Sequence, residues 1–218
     1  MAYHIDAENI SLDDLRKRIE ATDLVPSRAS LTDKIREKMK ALEKLGIITL
    51  ASLRDKLKNP KRLAAVAEAT GIDTQYLTLL RREIESYFPK PAVLKVFTWL
   101  PKDEIVKLEQ NGIGDTAALY ELTSSAKKRS ELVKSTGVDT ATLEMLARLA
   151  DLMRVQWVSP TFGRMLIVAG YDSAAKVAAA NADELCLALA SINAGDRFFK
   201  GKIGLRDIKR LVQAASYV

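Results

Sequence analysis

Apolar residues along this chain recur every three or four positions, and short breaks carrying glycine, asparagine or proline interrupt them. That period predicts helices near 32–45, 49–58, 60–70 and 73–87. In the last of these, Tyr76, Leu77, Leu80 and Ile84 fall on one face, with Arg81, Arg82 and Glu85 mostly opposite. Asn59-Pro60 reads as a cap followed by proline at the first helical position, where its missing N–H costs nothing. Leu143, Leu146, Ala147 and Ala150 form a second such face. No stretch alternates with period two for long enough to predict a strand, so the expected fold class is all-α.

The helical pattern repeats. Thr70-Gly71-Ile72-Asp73-Thr74 recurs 66 residues later as Thr136-Gly137-Val138-Asp139-Thr140. Leu42-x-x-x-Gly46-Ile47 matches Leu108-x-x-x-Gly112-Ile113 at the same offset, and Leu166-x-x-x-Gly170-Tyr171 is a third copy. Three residues after each of these glycines stands a cap-type residue: Thr49, Asp115 and Ser173. Glycine past an apolar run supplies the left-handed conformation that ends a helix, and the cap accepts the next helix's free N–H groups. Three units are expected, at 31–90, 91–154 and 155–218, with the second and third packed as one domain. The third is longer between its markers and matches only loosely in its second half.

Before the repeats, Ser11-Leu-Asp-Asp14 is a capping signature for a short helix over 12–21, and Leu24-Val25-Pro26-Ser27 turns the chain. The apolar residues of 1–30 predict an extension docked on the first unit. Phe88-Pro89-Lys90-Pro91 is the expected hinge, since proline keeps the residue before it out of helical geometry.

Composition narrows the classes. With 218 residues, 48% hydrophobic and 28% charged, the chain is globular rather than disordered. One cysteine, Cys186, excludes an intramolecular disulfide and a thiolate-rich zinc site. The longest apolar runs are too short to span a bilayer, and the first residues lack a signal-peptide pattern, so a cytoplasmic location without a membrane partner is expected. The net charge of +6 leans toward an anionic partner without deciding one.

Ala150-Asp151-Leu152-Met153-Arg154-Val155-Gln156-Trp157-Val158-Ser159-Pro160, followed by Leu166-x-x-x-Gly170, resembles a bacterial helical domain family of unknown function whose units are related to helix-hairpin-helix modules. The match is most specific over 140–190 and extends through the repeat from about 31. The resemblance implies stacked helical hairpins and non-sequence-specific nucleic-acid binding, because related modules present a Gly-x-Gly hairpin to the phosphate backbone. This chain departs from that pattern. Thirteen residues before Gly170 and Gly112 stand Trp157 and Trp99, at the first hairpin-glycine position, with Ser159 and Pro101 at the second. The first unit has Asp33 there. An indole blocks close backbone approach, proline removes a donor and aspartate repels phosphate, so the usual grip is lost.

Three sets of residues carry candidate chemistry. Trp99 and Trp157 are either stacking or partner-contact residues, or wedges that extend the core. Lys61 and Arg62, and at the same repeat position Lys127, Lys128 and Arg129, place cations in the first turn of a helix. There they oppose the macrodipole and would suit a phosphate, or else form a tolerated solvated edge. Residues 195–206 interleave Lys200, Lys202 and Arg206 with Phe198, Phe199 and glycines, which suits phosphate contact with stacking or an ordinary packed loop. The loop lacks the Lys-Ser/Thr ending of a nucleotide-binding loop.

No catalytic, metal or cofactor constellation is expected: His4 has no Cys or second His near it, and Cys186 reads as a small buried hydrophobe. The expectation is therefore a non-catalytic accessory protein binding DNA or RNA through basic helix ends. The alternative is a protein-interaction scaffold whose hairpins have lost nucleic-acid contact. Charge gives limited help, since residues 91–154 carry nine Lys/Arg and nine Asp/Glu.

Overall fold

A computed structural model describes residues 2–218. Among these the chain is all-helical, and its only extended pairings are two isolated antiparallel bridges, Ser11 with Thr49 and Val93 with Asp115. The chain divides into two compact units. One is Ile5–Phe88; the other is Pro89–Val218 together with Ala2, Tyr3 and His4. The N-terminal extension is thus divided between them. The break falls at Phe88-Pro89.

In the first unit, α1 (Leu12–Ala21) starts at Ser11, whose hydroxyl accepts the Asp14 amide at 3.1 Å. A 3-10 segment, Pro26–Thr32, leads to α2 (Ile35–Lys44). This helix begins later than residue 32 because Asp33 is extended and Lys34 is left-handed at φ 49°. α3 (Leu50–Lys56) opens on a Thr49–Ser52 capping box, α4 (Pro60–Thr70) on Asn59, and α5 (Thr74–Glu85) on Asp73. Leu12, Ile19, Leu42, Leu53, Leu77 and Leu80 are fully buried in one core. Tyr76, on the inner face of α5, donates its hydroxyl to the Leu31 carbonyl at 2.9 Å. Glu83, with a side chain only 3% exposed, is ion-paired to Arg28.

The second unit runs α6 (Lys102–Gln110), α7 (Thr116–Leu122), α8 (Ala126–Thr136), α9 (Thr140–Leu152), α10 (Pro160–Val168), α11 (Ala174–Ala178), α12 (Ala182–Ile192) and α13 (Leu205–Ala215). A 66-residue shift carries α3 onto α7 and α4 onto α8 end for end. The glycine markers gain a physical meaning here. In each of three places the amide after the glycine reaches back to the leucine carbonyl five residues earlier: Ile47 to Leu42 at 3.1 Å, Ile113 to Leu108 at 3.0 Å and Tyr171 to Leu166 at 2.9 Å. Gly46, Gly112 and Gly170 have φ of 80°, 79° and 87°, the left-handed corner of a Schellman cap.

Tyr3 packs in this unit, its hydroxyl 3.1 Å from Thr116 Oγ1 and its ring edge-on to Tyr120. A second core runs from Leu94 and Phe97 through Leu146 and Leu166 to Leu211. Among the described residues no helix is long and apolar enough to cross a membrane.

Candidate functional site

The turn between α9 and α10 creates the least ordinary backbone in the second unit. Val155 and Val158 are buried, at 0% and 7% exposure, and hold the ends of the turn in the core. Ser159 then caps α10, accepting the Phe162 amide at 3.2 Å, with Pro160 in the first helical position. Between these anchors Trp157 is forced to φ 70° and stands 45% exposed. A left-handed backbone is rare for a bulky residue and costs about 1–2 kcal/mol. Gly163 lets α10 approach α9, since a Cβ there would sit 3.3 Å from Leu149 Cδ2.

The segment between α12 and α13 forms the opposite wall. Asn193, 7% exposed, ends α12 and pins the loop that follows. Its Oδ1 accepts the Phe198 and Phe199 amides at 3.1 and 2.9 Å, and its Nδ2 donates to the Phe199 carbonyl at 2.8 Å. The Phe199 ring lies against Gly201, where a Cβ would come within 2.7 Å of it. That contact and a φ of 148° require glycine. Phe199 is left 51% exposed.

From α13, Ile208 and Leu211 turn into the core while Arg210 lays its guanidinium 4.5 Å from the centre of the Trp157 ring. Arg210 has a side chain 15% exposed and lies 3.7 Å from Asp207, and its Nε is buried with no hydrogen-bond acceptor. Trp157, Phe162, Phe199, Lys202, Arg210 and Leu211 are among the residues enclosing a cavity of about 450 Å³.

The residues singled out in the sequence therefore separate. Trp157 and Lys202 meet at this cleft; Lys200 is exposed on the segment that forms its wall, and Arg206 is exposed in the first turn of α13. Trp99 goes a different way from Trp157. It is half-buried, edge-on to Phe97 at 5.5 Å, and covered by the Arg164 guanidinium at 5.1 Å.

The basic helix ends need a physical correction. Their cations do not simply oppose a helix dipole, because the same side chains reach the carbonyl end of the helix before. Arg62 donates to the Asp55 carbonyl at 3.2 Å and its carboxylate at 2.5 Å. Lys128 donates to the Glu121 carbonyl at 3.0 Å, and Arg129 to the Thr123 carbonyl at 2.9 Å and to Glu144 at 2.7 Å. Each cation thus also complements the negative C-terminus of the helix before, which offsets the unfavourable N-terminus it belongs to. Lys61 and Lys127 are exposed, the latter 3.9 Å from Glu131. Lys61 and Arg62 belong to the first unit, Lys127, Lys128 and Arg129 to the second.

Asn193 and Arg210 are the contributors that sequence pattern understates. An asparagine ending a helix looks like any cap, and only the fold brings the α13 arginine over the tryptophan. Cys186 is half-buried with Sγ 3.8 Å from the Ile203 carbonyl. Among the described residues no cluster of three His, Cys, Asp or Glu is arranged to hold a metal.

Residues 100–217 match a family model described as Domain of unknown function (DUF4332), which is more than half of the chain. The chain belongs to this family. No curated protein and no solved structure matches it. The DUF4332 region spans α6 to α13 and contains the whole cleft, whereas Lys61 and Arg62 lie outside it.

Proposed function

We propose that this DUF4332 protein is a non-catalytic, sequence-non-specific nucleic-acid-binding protein whose contact surface is the cleft between α10 and α13. The observation that carries the reading is an exposed tryptophan held in a strained left-handed backbone and stacked by Arg210, with Phe199 and Lys202 on the same cleft. Strain of this kind persists only where the surroundings impose it, and it collects at functional sites. Aromatic rings with cations among them serve stacking and phosphate neutralisation together. Lys200 on the preceding loop and Arg206 and Lys209 on α13 are exposed and add positive charge to these two elements.

A relation to helix-hairpin-helix modules is part of this reading. What supports it is that Trp157, standing at the first hairpin-glycine position, adopts the φ of 70° that glycine there would supply. On this reading the α9–α10 turn alone retains a left-handed backbone at that position, since Trp99 lacks it, and side chains replace the phosphate grip. The hydrogen bonds of Arg62, Lys128 and Arg129 to the preceding helix ends occupy donors that a phosphate would need, which favours the cleft over the basic helix ends as the proposed contact.

Fluorescence anisotropy with labelled DNA and RNA, titrated at low and near-physiological salt, tests the proposal. Binding that weakens with salt and falls on Lys202→Glu with Arg206→Glu is expected. An absence of binding at low salt overturns it.

The second reading is a protein-interaction scaffold. It is favoured by Leu187, which is 72% exposed on α12, and by Val168, 52% exposed at the end of α10. A partner held there would leave the anisotropy unchanged and be insensitive to the two glutamate substitutions.

A further inference from the structure

We infer that the α10–α13 cleft receives one unstacked base, so that the ligand is single-stranded rather than duplex nucleic acid; this rests on the nucleic-acid reading above. Phosphate contact alone needs cations on a surface and no cavity. Here there is a cavity of about 450 Å³, within the roughly 300–1,000 Å³ of small-ligand pockets, and its walls include the Trp157, Phe162 and Phe199 rings with Met165, Ile203 and Leu211. A duplex keeps its bases stacked inside and offers phosphates and groove edges, which would leave these walls without a partner. A single strand can turn a base out onto an aromatic or guanidinium plane.

Two further observations point the same way. Arg210 Nε is a buried donor with no acceptor, beside the Trp157 ring that would stack the base. Base carbonyls, ring nitrogens and phosphate oxygens are all acceptors of the kind it lacks. The loop before α13 and α13 itself carry exposed Lys200, Lys202, Arg206 and Lys209 against the exposed carboxylates of Asp196 and Asp207, the second of which faces Arg210 at 3.7 Å. The balance is positive, which suits a strand's backbone and disfavours an uncharged apolar peptide.

The test uses the full chain with labelled oligo-dT, oligo-rU, an oligo-dT bearing abasic sites, and a hairpin duplex of equal phosphate number. A Trp99→Phe variant leaves Trp157 as the only indole. The intact single strands are expected to bind more tightly than the duplex and the abasic strand, and to quench Trp157 emission. Trp157→Ala and Phe199→Ala are each expected to weaken single-strand binding about five- to a hundredfold, and by a larger factor than they weaken duplex binding. Should Trp157→Ala lose its helical circular dichroism, Phe199→Ala, altered in an exposed loop, carries the comparison. Equal affinity for duplex and strand, unchanged emission, or full affinity in the folded variants overturns the base-insertion inference while leaving salt-sensitive nucleic-acid binding intact. No binding of any of the four probes at low salt overturns both. Preference between oligo-dT and oligo-rU then separates DNA from RNA as the source of the strand.

Discussion

The Asp151 carboxylate accepts the backbone amide of Ala174 at 2.8 Å, and so does for α11 what a main-chain carbonyl does for α3 and α7. At the first residue of those two helices, Leu50 donates to the Ile10 carbonyl at 2.8 Å and Thr116 to the Ala92 carbonyl at 2.9 Å. α10 is preceded by no such backbone segment, and a side chain from the last turn of α9 replaces it. Arg154 holds the carboxylate at 3.1 Å and lays its guanidinium on Tyr120, whose ring meets Tyr3.

Removing that acceptor exposes its worth. Asp151→Ala is expected to destabilise by about 1–3 kcal/mol, the usual cost of a buried donor left unpaired, whereas Asp151→Asn keeps an acceptor and loses less. Urea unfolding of the three proteins measures the difference; equal midpoints for alanine and wild type would disprove the role.

Trp157 separates strain from side-chain content. Trp157→Gly and Trp157→Ala both lose the indole and its Arg210 stacking, and differ mainly in tolerance of φ 70°. The glycine variant is expected to be the more stable of the two by about 1 kcal/mol. A thermal-unfolding comparison in which alanine equals or exceeds glycine would show that the turn relaxes freely.

Asn193→Ala removes the acceptor of two loop amides and the donor to a third group. Hydrogen exchange at Phe198 and Phe199 should quicken strongly while the amides of α6 to α9 keep their protection. Single-strand affinity should fall with it, because Phe199 loses its fixed position. Retained protection at both phenylalanines would contradict this.

Arg28→Ala leaves the buried Glu83 carboxylate without that ion pair. The expected cost is about 1.5–3 kcal/mol, as for a hydrogen bond to a charged group. Urea unfolding followed by circular dichroism reads it, and a loss within error of zero would mean that the carboxylate is fully compensated elsewhere.

Acid should destabilise the fold through carboxylates held in their charged form. Lys17, with Arg16, draws Asp13 down to about 2; Lys107 and the Asp139 amide lower Glu104. The Thr142 amide lowers Asp139, and Lys176 lowers Asp172. In each case the folded chain binds fewer protons than the unfolded chain below the ordinary carboxylate range of about 4. Their contribution is therefore complete above about pH 5 and is lost as pH falls through the depressed values. Denaturation midpoints should agree at pH 7 and pH 5.5 as far as these groups are concerned, and drop at pH 3. The drop should be smaller in Asp172→Asn.

Much of the fold is legible in the order of residues along the chain. Gly71 and Gly137, each at φ 69°, close helices whose successors are capped by Asp73 and Asp139, and these signals are plain in sequence because capping is a local interaction within a few residues. The start of α2 departs from its predicted position because Lys34 is left-handed, a conformation that no local preference for lysine encodes. The site is legible only in pieces. Trp157 and Lys202 stand out by type, yet so do Trp99 and Lys127, and nothing nearby in sequence tells the members of each pair apart.

Local sequence by itself determined most of the helices and their caps, the three glycine corners and the 66-residue register, since each depends on backbone preferences and hydrogen bonds within one or two turns. Tertiary structure alone decided which tryptophan faces solvent, which cations turn back onto the preceding helix and which arginine covers an indole. Those outcomes depend on contacts between residues distant in the chain: Arg210 meets Trp157 across 53 positions, and Val155 and Val158 impose a left-handed tryptophan only because the core holds them both.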